Sequence, residues 1–292
     1  MRQIFGQKNV VRVIALGKDL GNGSGVVLKE GILTNNHVIE GALKIYVEFH
    51  GVSGYHEITI IGRDPAADLA LLTAPLLPEG ITPVTLGDTL QIGDRVYTMG
   101  YPLGVRSVTV GNVNATESES WLYAITQAPL APGNSGGPLL NGQGKMAGVN
   151  TAIASIPGVL ISFALPAEYV KSVLPRLTRE RVVRHGAAGF VFYDATRILP
   201  VFLERMGLSY PPYEGVMVIV VPPSSPPDRA GIRPGDYIIK FNGIPMKSAR
   251  DLEKRIFFDH RPDEEVELEL KRGGQVFIKK FVLSEYISPF RR

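Results

Sequence analysis

Between residues 10 and 165 the apolar residues come in short runs, many with a period of two, broken by Gly and Pro. Val10–Leu16, Ser24–Leu28, Gly31–Thr34, Lys44–Glu48, Glu57–Arg63, Leu69–Thr73, Arg95–Met99, Val108–Val113, Tyr123–Gln127, Pro138–Leu140, Met146–Asn150 and Ile161–Ala164 read as strands. Long helical crossovers do not separate them, so the pattern predicts a pair of antiparallel β-barrels rather than a parallel sheet. After Pro166 the period changes: Ala167, Val170, Val173, Leu174 and Leu177 recur at helical spacing and predict a helix that closes the domain. The polar run Thr178-Arg179-Glu180-Arg181 then leads into Val182-Val183-Arg184-His185-Gly186, an exposed linker that divides the chain into domains 1–183 and 184–287.

The second region is shorter and mixed. Strands are expected at Gly189–Tyr193, Val216–Val221, Tyr237–Phe241, Glu265–Lys271 and Gln275–Val282, with helices at Ile198–Arg205 and Ser248–Phe257. This is an α+β module, with Lys271-Arg272-Gly273-Gly274-Gln275 as a hairpin turn.

Composition narrows the possibilities. The chain has 292 residues, 45% of them hydrophobic and 20% charged, enough apolar material for two cores. Its net charge is +3, and basic residues barely exceed acidic ones in either part: 15 against 14 in residues 1–185 and 16 against 14 in residues 186–292. That balance argues against a nucleic-acid partner. There is no cysteine, which excludes disulfides, thiolate metal sites and a thiol nucleophile. Lys8 and Arg12 interrupt the apolar stretch at the N-terminus, so the sequence as written carries no export signal, and the run Val216–Val221 is far below the roughly 18 residues a membrane span needs.

Three segments carry candidate chemistry: Thr34-Asn35-Asn36-His37-Val38, Asp64-Pro65-Ala66-Ala67-Asp68-Leu69, and Gly133-Asn134-Ser135-Gly136-Gly137-Pro138-Leu139. A serine hydroxyl is a poor nucleophile until an imidazole takes its proton, and a carboxylate must fix that imidazole's tautomer and stabilise its cation. His37, Asp68 and Ser135 fit these roles, in the chain order His, Asp, Ser. The glycines around Ser135 allow a tight turn in which the N–H groups of Gly133 and Ser135 converge on an oxyanion. Asp64 competes with Asp68 and reads otherwise as a turn residue. His50, His56, His185 and His260 lack metal-ligand spacing and read as surface or packing residues, so no metal or other cofactor is implied. Gly21-Asn22-Gly23-Ser24-Gly25 reads as a strand-entry turn, and Asp263-Glu264-Glu265 as a solvated turn.

Together with Gly23-Ser24-Gly25-Val26-Val27, Gly100-Tyr101-Pro102-Leu103-Gly104, Gly148-Val149-Asn150-Thr151-Ala152-Ile153 and Ser162-Phe163-Ala164-Leu165-Pro166, these segments resemble the HtrA (DegP-like) family over nearly the whole length. The resemblance implies a chymotrypsin-like double β-barrel followed by a single α+β PDZ domain. It implies His37 as general base, Asp68 as its orienting carboxylate and Ser135 as the nucleophile that forms an acyl-enzyme. Where the family usually has Thr-Asp-Ala-Ala-Ile-Asn, this chain has Thr126-Gln127-Ala128-Pro129-Leu130-Ala131. By the trypsin-fold pattern Pro129 is the floor of the specificity pocket, with Ile153 and Phe163 as walls. No carboxylate stands there to select Lys or Arg, so small or medium apolar side chains are expected before the scissile bond. Ala115-Thr116-Glu117-Ser118-Glu119-Ser120-Trp121 is a candidate regulatory loop.

Ser225-Pro226-Pro227-Asp228-Arg229-Ala230-Gly231 and Pro234-Gly235-Asp236-Tyr237 resemble the central PDZ signature. Such a domain adds an extended C-terminus to a sheet edge as a strand. The resemblance makes Ala187-Ala188-Gly189-Phe190 the carboxylate loop, names Ala188, Gly189, Phe190 and Val191 as the peptide-binding stretch, and gives the groove's other wall to Ser248–Phe257. The implied function is serine endopeptidase action on unfolded or misfolded proteins in protein quality control. The expected partners are such substrates, C-terminal peptides at the groove, and copies of the chain in a homotrimer to which Phe5 contributes. The alternative is a proteolytically silent relative acting as a chaperone or adaptor, consistent with Gln127, Pro129 and Ala131. Family habit favours an extracytoplasmic location if an export segment precedes this sequence, and the cytoplasm otherwise.

Overall fold

Val10–Leu16 forms the first strand, β1, and its alternation sets inside and outside: Val11, Val13 and Ala15 are buried while Arg12 and Ile14 between them stay partly exposed. The computed structural model describes residues 8–116, 123–156, 159–208 and 215–287, with backbone alone for 152–156, 159 and 160. Phe5, most of the loop Ala115–Trp121 and the side chain of Ile153 lie outside the described residues. The chain falls into two compact units, Met1–Val183 and Arg184–Arg292.

In the first unit β1 is followed by β2 (Leu20–Leu28), β3 (Gly31–Thr34), the one-turn helix α1 (Asn36–Ile39), β4 (Lys44–Phe49), β5 (His56–Ile58), β6 (Ile60–Asp64) and β7 (Leu69–Leu72). These strands form an antiparallel sheet in the order β5-β4-β1-β2-β3-β7-β6. It wraps a core of Val11, Val13, Val27, Ile32, Val47 and Phe49, among others. The next six strands are β8 (Arg95–Gly100), β9 (Ser107–Ala115), β10 (Ala124–Thr126), β11 (Pro138–Asn141), β12 (Met146–Ile156) and β13 (Val159–Pro166). They close a barrel in the order β10-β13-β12-β11-β8-β9. One seven-stranded antiparallel sheet and one closed barrel thus account for the short apolar runs of this unit. Helix α2 (Ala167–Leu177) starts after Pro166, buries Ala167, Val170, Val173, Leu174 and Leu177, and places Glu168 in its first turn and Arg176 in its last, where each suits the helix dipole.

The expected turn at Gly21–Gly25 is instead part of β2. Gly21, Asn22 and Gly23 pair with Ala15, Ile14 and Val13 across the ladder. Glycine's weak strand propensity is overridden because a side chain at Gly23 would come within 2.6 Å of Val38. The sheet therefore continues past the turn-like composition.

The second unit contains β14 (Gly186–Ala187), β15 (Val191–Asp194), α3 (Pro200–Arg205), β16 (Val216–Val220), α4 (Pro226–Arg229), β17 (Tyr237–Phe241), β18 (Ile244–Pro245), α5 (Ala249–Lys254), β19 (Glu265–Arg272), β20 (Gln275–Val282) and β21 (Ser284–Glu285). The main sheet runs β15-β16-β17-β19-β20, β18 pairs with β17, and β14 pairs separately with β21. Its core gathers Phe190, Val216, Val218, Ile238, Leu252 and Leu268. Pro234-Gly235-Asp236 turns the chain into β17 through Asp236, which is fully buried and accepts hydrogen bonds from Arg272 Nε at 2.5 Å and the Arg233 amide at 2.8 Å. This carboxylate is a structural anchor, its burial offset by a cation and an amide. Helix α5 continues into a π-helical turn, Arg255–Asp259, which carries the helical segment past the predicted end at Phe257.

Candidate active site and peptide groove

The three catalytic candidates come from different parts of the first unit, and polar contacts, exposed at His37 and partly buried beneath it, tie them together. His37 lies on α1, Asp68 in the turn before β7, and Ser135 in the turn before β11. Asp68 meets His37 twice: one carboxylate oxygen lies 2.7 Å from Nδ1 and the other accepts the His37 backbone N–H at 2.9 Å. With Nδ1 against a carboxylate, that nitrogen carries the proton and Nε2 keeps its lone pair. Asp68 has a φ of 56°, a left-handed conformation that Asp tolerates better than most residues. Asn35 Nδ2 holds the Asp68 carbonyl there at 2.8 Å. Asp64, by contrast, accepts the Ala66 and Ala67 amides and shapes the turn itself.

Burial of the His37 ring acts to lower its pKa, but the hydrogen bond and charge of Asp68, helped by the charge of Glu40, outweigh it and hold the imidazole above its ordinary value. The side chain as a whole nevertheless remains about half exposed.

The Ser135 turn is pinned from below by Ser24, a fully buried residue of β2. The Ser24 amide donates to the Ser135 carbonyl at 2.8 Å. Its hydroxyl donates to the Gly133 carbonyl at 2.6 Å and accepts the Tyr101 amide at 2.9 Å. Gly136 has a φ of 84°, and a Cβ there would sit 2.2 Å from the Ser24 carbonyl oxygen, so only glycine fits. Within the turn the amides of Asn134, Gly136 and Gly137 are spent on the carbonyls of Ala131, Asn150 and Asn134. The amides of Gly133 and Ser135 have no hydrogen-bond partner among the described residues. Two free donors flanking a serine are what an oxyanion requires.

The Ser135 hydroxyl donates to the Thr151 carbonyl at 3.3 Å. Thr151 Oγ1 in turn accepts from Asn35 Nδ2 at 3.3 Å, so a polar relay runs from Ser135 through Thr151 and Asn35 to Asp68 and His37. Of the expected pocket residues, Pro129 is exposed in the loop after β10 and its carbonyl accepts Thr109 Oγ1 at 2.6 Å. Phe163 is partly buried on β13 opposite Ile125.

In the second unit a groove of about 440 Å³ lies between residues 186–192 and the helical residues Glu253, Ile256 and Phe257, so Ala188, Gly189, Phe190 and Val191 line it together. Among the described residues the amides of Ala188, Gly189 and Phe190 have no partner. Gly189, with a φ of 73°, makes the turn. His185 is buried and stacks on Phe257 at 3.9 Å, while His260 Nδ1 lies 2.8 Å from Glu264, so both serve packing and local pairing.

Sequence reasoning overlooked Ser24, Asn35, Thr151, Glu253 and Tyr286. A serine between strand glycines and an asparagine just before the histidine were the available signals for the first two. Glu253 lies in the segment Ser248–Phe257 already assigned to the groove wall, but nothing in that segment singled it out, and Tyr286 gave no signal because its approach to the groove depends on tertiary packing.

Comparison with known proteins agrees with this anatomy. Residues 23–149 match the trypsin-like peptidase domain and residues 186–277 match the PDZ domain. A DegP-like relative from Ectopseudomonas mendocina, named as a periplasmic serine endoprotease, is 34% identical over 267 residues, covering 88% of this chain and 54% of the relative. The HhoA protein of Synechocystis is 32% identical over 275 residues, covering 87% of this chain and 68% of HhoA. The chain spans about half the length of the DegP-like relatives it matches. Among solved structures, the HtrA-type protease AlgW with a tripeptide superposes with a TM-score of 0.80 at 29% identity, covering 97% of this chain and 95% of that one. A serine endoprotease from Yersinia pestis gives 0.73 at 28% identity, covering 98% of each chain. With both domain types in this order and relatives matched across the greater part of the chain, the protein belongs to the HtrA (DegP-like) family of serine proteases, a trypsin-like peptidase domain followed by one PDZ domain.

Proposed function

We propose that the chain is a serine endopeptidase that cleaves unfolded or misfolded proteins and binds C-terminal peptides in the groove of its PDZ domain. The observation that carries this is the double contact of Asp68 with His37, in the same domain as two unpartnered amides at Gly133 and Ser135. Ser135 Oγ attacks the scissile carbonyl carbon while His37 Nε2 takes its proton. Asp68 keeps the proton on Nδ1 and stabilises the imidazolium, and the Gly133 and Ser135 amides receive the oxyanion. Collapse breaks the C–N bond, with His37 returning the proton to the leaving amine, and water then hydrolyses the acyl-enzyme by the same route in reverse. Pro129, Ile153 and Phe163 form the pocket for a small or medium apolar side chain.

The Ser135 hydroxyl must leave the Thr151 carbonyl and turn to His37 before attack. Apo sites commonly hold such bonds loosely until substrate binds. The same bond favours a second reading, a proteolytically silent chaperone or adaptor. Names of the relatives support an extracytoplasmic setting, and family resemblance supports a quality-control role and a homotrimer, the latter tested by a solution mass measurement.

Casein degradation by the purified chain and its Ser135→Ala variant, with and without peptides ending in apolar residues, tests the proposal. Cleavage by the parent that disappears in the variant supports the endopeptidase. Equal inertness of both, with suppression of client aggregation, moves the conclusion to the silent relative.

A further inference from the structure

Among the described residues lining the PDZ groove, Glu253 is the one carboxylate. It stands on α5 one turn before Ile256 and Phe257, and the three share a helix face. The other wall is backbone and apolar side chain, with Phe190 packed on Phe192 at 5.6 Å. No described residue gives the Glu253 carboxylate a hydrogen bond or an ion pair. Although the residue is exposed, protein crowds its carboxyl closely enough that burial raises its pKa, against the opposing charge of Arg250 one turn earlier. Tyr286, edge-on to Phe257 at 4.9 Å, also lines the groove and feels the Glu253 charge. An under-compensated carboxylate beside an apolar trough attracts a cation that brings apolar surface with it.

The position along the groove follows from the helix direction. The start of α5 is tied to the far end of β15, where the Ala249 amide donates to Asp194 Oδ1 at 2.6 Å. Its continuation reaches Gly186, beside the carboxylate loop: a Cβ there would lie 3.4 Å from the Ile256 carbonyl oxygen. A peptide paired with β15, its terminus at the Ala188–Phe190 amides, therefore has its last side chain near Ile256 and Phe257. Glu253 lies three or four residues back along the helix, about 4.5–6 Å. Two residues of an extended ligand span about 6.6 Å and return to the same face. The side chain meeting Glu253 is thus two residues before the C-terminal one.

We infer that Glu253 makes the groove selective for peptides carrying Lys or Arg two residues before an apolar C-terminal residue. This rests on the groove being a C-terminal peptide site, as proposed above, and adds the chemistry of the ligand.

The test measures fluorescence anisotropy of labelled peptides ending in Lys-Ala-Val, Gln-Ala-Val and Glu-Ala-Val. The protein is the full chain carrying Ser135→Ala, so that no peptide is consumed, and a C-terminally amidated Lys-Ala-Val peptide is the control. The Lys peptide should bind about fivefold more tightly than the Gln peptide, the Glu peptide more weakly than either, and the spread should narrow in about 0.5 M salt. With Glu253→Gln added, the Lys and Gln peptides should fall within about twofold of one another. Equal affinities for Lys, Gln and Glu peptides, with loss of binding only on amidation, overturn the role of Glu253 and leave the C-terminal site standing. Failure of every free-carboxylate peptide to bind overturns both. The peptide series on the chain with Glu253 intact decides the matter even if the substitution disturbs folding.

Discussion

The Ser135 turn and the Ala188–Phe190 loop solve one problem by the same means. Each presents backbone amides with no partner among the described residues, at a turn that contains a left-handed glycine, an arrangement suited to negative charge. They differ in what surrounds the amides. Around Ser135 stand ionisable and hydroxylic side chains fixed by hydrogen bonds, with His37 held above its ordinary pKa by Asp68 and Glu40 against its burial. Around the groove loop, among the described residues, stand apolar side chains, the phenol of Tyr286 and one carboxylate, Glu253. Charge on a ligand's terminus is permanent and needs only reception, whereas charge on an oxyanion must be made, which takes a nucleophile and a base. On the function proposed above, the same backbone device serves binding in one unit and chemistry in the other.

The sharpest way to break the comparison is to remove the base. His37→Ala should lower kcat by about 10⁶-fold, as much as the double variant His37→Ala with Ser135→Ala, because the members act as a unit. Peptide affinity at the groove should not change. An additive loss in the double variant, measured on a fluorogenic peptide, would separate the two residues into independent roles.

Asp68→Asn comes next, at about 10⁴-fold in kcat through loss of the right tautomer. Its pH profile carries the sign. His37 works as a base only when neutral, so activity in the parent fades as pH falls through a pKa raised above the ordinary 6.5. Taking away the Asp68 charge leaves burial as the dominant influence on the ring, so the acid limb of kcat/KM should move to lower pH. A limb that stays in place or rises would detach Asp68 from the titration.

Ser24→Ala probes the scaffold rather than the chemistry. It leaves the Gly133 carbonyl without its donor and the Tyr101 amide without its acceptor, both in a buried site. The expected cost is about 1–3 kcal/mol in stability of the protease domain. A loosened Gly133 should also cost about tenfold in kcat, less than the roughly 10²–10³-fold of losing an oxyanion donor outright. Thermal unfolding together with kcat reads both. Unchanged kcat with lowered stability would show that the turn keeps its shape without Ser24.

Much of this was legible in the chain. His37, Asp68 and Ser135 stand in motifs because the reaction proposed above demands those side chains and the glycines that let a backbone turn so tightly. Val10–Leu16, Tyr237–Phe241 and Gln275–Val282 were readable to the residue: the first alternates between buried and partly exposed positions, and the other two are β-prone runs bounded by the turns at Pro234-Gly235-Asp236, Asn242-Gly243 and Gly273-Gly274. The hidden parts depend on distant partners. Gly21–Gly23 looks like a turn until β1 pairs with it and Val38 forbids a side chain. The two-residue strands Gly186–Ala187 and Ser284–Glu285 are too short to show a period and exist only by pairing with each other. The groove was visible as a motif and the helix Ser248–Phe257 as its wall, but which residues of that helix face the groove, Glu253 among them, was settled only by packing.

The smallest effect should come from Gly189→Ala, and it distinguishes conformational cost from steric cost. At φ 73° an L side chain is strained by about 1–2 kcal/mol. Space is not the obstacle, since the nearest atom to the added Cβ would be Ser284 Oγ at 3.2 Å, a rotatable hydroxyl. If the loop keeps its left-handed turn, the PDZ domain loses about that much stability in denaturant titration while the amides still point into the groove and peptide affinity holds within about threefold. If the loop instead relaxes to negative φ, stability recovers and peptide binding collapses, because the amides of Ala188 and Phe190 no longer converge. Either way casein cleavage without added peptide should stay within about twofold of the parent, since catalysis asks nothing of this loop's geometry. A large loss of that basal activity would mean that the left-handed turn at Gly189 supports the Ser135 site as well as the groove, joining the two amide devices that the comparison holds apart.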